Sequence, residues 1–213
     1  MKTVKYVAVL FCLLMLSSCS NAYYSAMEQV GIHKRDIMVD RVEDAQESQE
    51  DAQQQFASAL EQFDSVIKLE DTDLKRAYED LDSEYQGIVS AAEDVSMRID
   101  KVESVADALF DEWTEELELY KNPSLKAKSK SQLVTTQRRY REMMSSMHRA
   151  EASMEPVLRT FQDNVLFLKH NLNAQAIGSL KGEFTSLKTD INALIKQMNV
   201  AIASSNTFVE GLK

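Results

Sequence analysis

The residues able to do chemistry in this chain are few, and their spacing does not organise them. The three histidines are His33, His148 and His170. None stands three residues after a glutamate, the spacing with which a di-iron bundle brings both side chains to one metal. The motifs H-E-x-x-H and G-x-S-x-G are absent. Nor do the five glycines, Gly31, Gly87, Gly178, Gly182 and Gly211, form a phosphate-cradling G-x-x-x-x-G-K-[ST] loop. His148, Glu151 and Glu155 do share a helical face, because residues three and four apart are neighbours on a helix. Beside Arg149 they read as a solvated stripe, not a metal site. No metal or cofactor is expected, and the chain is read as a non-enzyme. The alternative is an enzyme, or an enzyme's regulator, whose site is assembled from scattered polar residues and leaves no motif.

Sulfur chemistry is confined to Cys12 and Cys19. Cys12 lies in an apolar run from Tyr6 to Leu16 that follows Lys2 and Lys5. That run is too short to span a bilayer of about 30 Å and reads as a secretion signal. It ends in Leu16-Ser17-Ser18-Cys19, which resembles the lipobox of bacterial lipoproteins. The resemblance implies that Cys19 is acylated and becomes the first residue; three acyl chains hold firmly where one gives only marginal binding. Ser20 in the following position implies sorting to the outer membrane, facing the periplasm. Residues 1–18 are then a signal peptide, 19–33 a lipid-anchored tether and 34–213 a helical coiled-coil bundle. With both cysteines spent, no disulfide or thiolate metal site is left to stabilise the fold.

Charge offers the next chemical feature. The net charge is -10, and becomes -12 without Lys2 and Lys5, which argues against nucleic acid as a partner. The distribution is uneven. Residues 40–118 hold 25 acidic and 6 basic side chains, net -19, whereas residues 121–213 hold 7 and 14, net +7. Lys121, Lys126, Lys128 and Lys130, followed by Arg138, Arg139 and Arg141, are the candidates for contact with a membrane or a partner. Anionic headgroups attract basic residues near the surface at about 1 kcal/mol each. The competing reading pairs them with Asp111, Glu112, Glu115, Glu116 and Glu118. A second candidate, Lys169-His170-Asn171, could be a functional turn, yet basic and Asn residues also suit a helix C-terminus.

The elements that must position these groups are helices. Five glycines and two prolines, with 44% hydrophobic residues, leave little room for a turn-rich sheet protein. Gly31 is expected to break the chain before the first helix. From Met38 to Val66 apolar residues alternate by four and three, with Gln49 the one polar exception, set to fix register or face a polar partner. After a turn at residues 69–72 a second seam runs from Leu74 to Tyr120. Asn122-Pro123-Ser124 reverses the chain, with Ser124 able to cap the next helix. The third seam runs from Leu133 to Leu172, with Pro156 expected to kink it and Met143, Met144, Met147 and Met154 read as core. A last turn at residues 172–176 precedes a seam from Ile177 to Met198 that weakens toward Phe208. Gly178 and Gly182 read as a close helix contact. Tyr23 and Tyr24 suit either a membrane interface or packing on the bundle. Short connections favour antiparallel neighbours. The expected fold is all-α, an elongated antiparallel four-helix bundle or paired coiled-coil hairpins, of unknown oligomeric state.

Three stretches, MEQVGIHKRDI (residues 27–37), VDRVED (39–44) and FLKHNLNAQAI (167–177), resemble a proteobacterial family of helical secreted proteins or lipoproteins filed as a domain of unknown function. The resemblance covers essentially the whole mature chain and implies the helical fold and export. It brings no established activity and no functional residue. The function expected is that of a structural or protein-interaction module of the bacterial envelope, with an envelope protein as partner.

Overall fold

The four periodic segments fold as four long helices. The structure, a computed structural model, describes residues 23, 24, 27, 31–68 and 74–213; the leader, Cys19 and the turn expected at 69–72 lie outside them. Gly31 sits at φ +85°, the left-handed region that glycine enters without strain. Helix α1 (Lys34–Val66) starts three residues later. Every position of its expected seam is buried, Gln49 included. Helix α2 (Leu74–Glu116) ends in a 3₁₀ turn, Leu117–Leu119. There the seam runs out: Leu117 is buried but Tyr120 is exposed.

Helix α3 (Pro123–His170) is capped by Asn122, whose side chain accepts hydrogen bonds from the N–H groups of Ser124 (2.9 Å) and Leu125 (3.3 Å). The cap is therefore one position before proline and not Ser124, because Pro123 fits the first helical position, where its missing N–H costs nothing. The helix runs unbroken past Pro156, which is exposed, and Met143, Met144, Met147 and Met154 are all buried. Leu172 is exposed and lies beyond the helix. Helix α4 (Ala174–Glu210) begins inside the stretch expected to be a turn, with Asn173 accepting from the Ala176 N–H at 3.1 Å. Its seam does not fade: Ala201, Ser205 and Phe208 are buried and carry it to the end. Gly178 and Gly182 make no close contact, since a Cβ on either would meet nothing within 4 Å. Within the helices the close approach is at Gly87, where a Cβ would lie 2.3 Å from Gln55 Nε2.

Each helix packs on two neighbours, α1 on α2 and α4, and α3 on α2 and α4, giving an antiparallel up-down bundle of two hairpins. The 48 residues of α3 make it about 70 Å long. We call the end where α1 starts the near end; it also holds the end of α2, the start of α3 and the end of α4. Lys34 meets Glu112 there at 2.8 Å, and Glu43 meets Lys213 at 3.2 Å. Tyr24 docks on the bundle, 6% exposed, with its hydroxyl 3.2 Å from Ser104 Oγ, whereas Tyr23 is exposed and packs edge-on against it. No helix among the described residues is long and apolar enough to cross a membrane.

Candidate near-end site

At the near end side chains from α1, α2 and α3 and the residues just after α4 surround an open space. The acidic hairpin brings Leu109, Glu112, Trp113 and Glu116 from the last turns of α2, and Arg35 from the first turn of α1. The basic hairpin brings Ser131, Gln132, Thr135, Thr136 and Arg139 from α3, and Gly211-Leu212 closes the wall just after α4. They enclose a cavity of about 460 Å³, within the range of small-molecule sites. A second hollow of about 380 Å³ adjoins it, lined by His33 and Lys34 and sharing Arg35, Leu109, Glu112 and Glu116. The Trp113 indole is held in place by a hydrogen bond from its Nε1 to Ser129 Oγ at 2.8 Å. Ser129 is itself buried, a polar residue turned inward to meet that donor. Arg139 lies over Gly211, so close that a Cβ there would be 2.2 Å from Nη1.

The seven basic candidates separate in the structure. Lys126 pairs with Glu118 at 2.9 Å, the only one of them bonded to the acidic end of α2. Arg138 pairs within its own helix with Glu142 at 2.9 Å. Arg139 lines the cavity, while Arg141 lies in a shallow groove with Arg149 and Ser204 between α3 and α4. Lys121, Lys128 and Lys130 are exposed and make no ion pair among the described residues. The expected pairing with Asp111, Glu112, Glu115, Glu116 and Glu118 is thus limited to one lysine. Between the two hairpins the described residues show three ion pairs, Lys126–Glu118, His148–Glu103 and Lys213–Glu43.

Lys169, His170 and Asn171 are at the far end, a full helix length away. Asn171 closes α3, donating from Nδ2 to Phe167 O at 2.8 Å and from its backbone N–H to Leu168 O at 3.1 Å. Nothing brings this run near the basic cluster.

His148 does more than stand in a solvated stripe. Its Nδ1 is 3.0 Å from Glu151 and its Nε2 is 2.9 Å from Glu103 on α2, so one imidazole links two carboxylates and two hairpins. The hydrogen bond to Glu151 raises its pKa most, and Glu103 adds to this, against an opposing effect of burial. Glu155 pairs instead with Arg159 at 3.5 Å, and among the described residues no cluster of His, Cys, Asp or Glu could hold a metal ion. Glu103, Arg35 and Trp113 were not legible as site residues. Each earns its place only through the register between helices, which no single helical face reveals. Tyr140 shows the same coupling: burial first, then Glu103 and Asp107 across the interface, push its phenol far above the usual value.

The chain belongs to the family described as "Protein of unknown function (DUF2959)", whose pattern it matches over residues 23–212. That span holds all four helices and the near-end cavity. The comparison with curated proteins gave no match.

Proposed function

We propose that this chain is an outer-membrane lipoprotein of the bacterial envelope, anchored through Cys19 and facing the periplasm, that presents a long helical surface to an envelope protein and performs no catalysis. The observation that carries this reading is topological. The start of α1, which follows the tether, meets the end of α2 at Lys34–Glu112, so the exposed Lys121, Lys128 and Lys130 lie at the end nearest the tether. A lipid on the tether and a basic tip at the same end are two membrane signals that act together. The flanks of α1 and α2, rich in carboxylates and about 50 and 65 Å long, are left for a partner.

Cys19→Ala is expected to abolish lipid labelling and release the protein from the membrane fraction. Firm membrane attachment of that variant would overturn the lipoprotein reading. In the released form, changing Lys121, Lys128 and Lys130 together to Gln should weaken salt-sensitive binding to anionic vesicles without altering helicity by circular dichroism. Equal binding would reduce the basic tip to a solvated surface.

A further inference from the structure

We propose that the near-end cavity is a binding site for a zwitterionic phosphate ester of the phosphoethanolamine type, with the oxyanion held by Arg35 and Arg139 and the ammonium by Glu116. This goes beyond the envelope role and does not depend on it. The cavity carries both signs of charge in one space. Neither Arg35 nor Arg139 forms a hydrogen bond or ion pair among the described residues, although carboxylates line the same walls. Glu112 is engaged by Lys34, whereas Glu116 has no ion pair among the described residues. A bare phosphate would suit the two guanidinium forks, which match its oxygens, but Glu116 would repel it. A ligand with an anionic and a cationic end satisfies all three.

The rest of the lining fits the same chemistry. Ser131, Gln132, Thr135 and Thr136 present a neutral row of hydroxyls and an amide for ester and phosphate oxygens. Trp113, fixed by Ser129, supplies an aromatic wall that an ammonium group can approach. Arg35 and Arg139 come from different hairpins, so the site is complete only when the bundle is closed.

Trp113 is the only tryptophan in the chain, which makes its emission a direct reporter. The purified full-length protein, in a phosphate-free nonionic detergent, would be titrated with O-phosphoethanolamine, inorganic phosphate and ethanolamine. The expected result is a saturable change with phosphoethanolamine, and affinity at least about tenfold weaker for phosphate or ethanolamine alone, since each lacks one charged contact. Arg139→Gln and Glu116→Gln should each weaken binding about tenfold, with helicity unchanged. A parallel titration with short-chain phosphatidylethanolamine separates the sources. Tighter binding than the free ester makes the ligand a lipid headgroup, and weaker binding makes it a soluble ester; either supports the site. No emission change, equal affinity for inorganic phosphate, or unchanged binding in both variants would overturn it.

Discussion

At the far end of the bundle Phe63, Tyr85, Phe161 and Phe184, one from each helix, form a chain of ring contacts, whereas the near end leaves a cavity among Arg35, Glu116, Trp113 and Arg139. Phe161 is edge-on to Phe63 at 5.9 Å and parallel to Tyr85 at 6.3 Å, and Phe184 lies parallel to Phe63, also at 5.9 Å. Such ring pairs add to the burial of large apolar area. The near end has its own aromatic contacts, Phe110 with Tyr140 and Tyr140 with Phe208. Beyond them the helix ends are joined by Lys34–Glu112, Trp113–Ser129 and Lys126–Glu118, contacts that are partly wet and worth little each. The contrast separates tasks: the far end clamps the hairpins, and the near end spends its side chains on polar, open geometry.

The contrast breaks if the two ends respond alike to truncation. Phe161→Ala removes a side chain with no exposed surface that touches rings from two other helices. It should cost about 3–5 kcal/mol in urea unfolding. Trp113→Phe keeps an aromatic ring and loses chiefly the bond to Ser129, so about 1 kcal/mol is expected. Equal losses would mean that the near end clamps the bundle as firmly as the far end.

Between the ends lies a weakness that can be repaired. Gln49 is fully buried between Ala45 and Ala52 on the α1 seam, and neither polar atom of its amide has a partner among the described residues. An amide in that state costs about 1–3 kcal/mol. Gln49→Leu should therefore raise stability by about that amount, read from the urea midpoint. A lower midpoint would show that the amide is satisfied in solution.

Much of this frame was legible because heptads report burial directly. The α1 seam was read position by position, and the methionines of α3 fell in the core as their spacing required. Local polar chemistry was read less well. Ser124 is able to cap by its residue type, but proline at the first helical position moves the cap to Asn122. Gly178 and Gly182 suggested close packing, yet both face open space, while Gly87, alone in its helix, is the one pressed by Gln55. The near-end cavity was only half visible. Arg139 stood out within a basic run, but Arg35, Trp113 and Glu116 join it through the pairing of four helix ends, and that pairing depends on turn lengths and axial register.

The finest test concerns a polar link at the middle of α3. His148 sits 46% exposed between Glu151 on its own helix and Glu103 on α2, with both ring nitrogens facing carboxylates. Only the doubly protonated ring donates to both; a neutral ring leaves one carboxylate facing a lone pair. Its pKa in the fold is therefore raised, first by Glu151, then by Glu103, above the value of about 6.5 that it has when unfolded. A raised pKa means that the folded protein holds the proton more tightly, so the contribution is fully present below about pH 6.5. It is lost as pH climbs through the folded value. Because the ring is half in water, the change is small, roughly a few tenths of a kcal/mol. Unfolding measured at about pH 6 and about pH 8 should show the wild type losing that increment, and His148→Gln should lose less. The far-end aromatic cluster holds no group that titrates in this window, so protection from hydrogen exchange there, taken relative to the intrinsic exchange rate at each pH, should stay level while protection at the α2–α3 contact around Glu103 falls at the higher pH. A variant with the wild-type slope, or protection falling equally at both sites, would show that the imidazole link does not distinguish them.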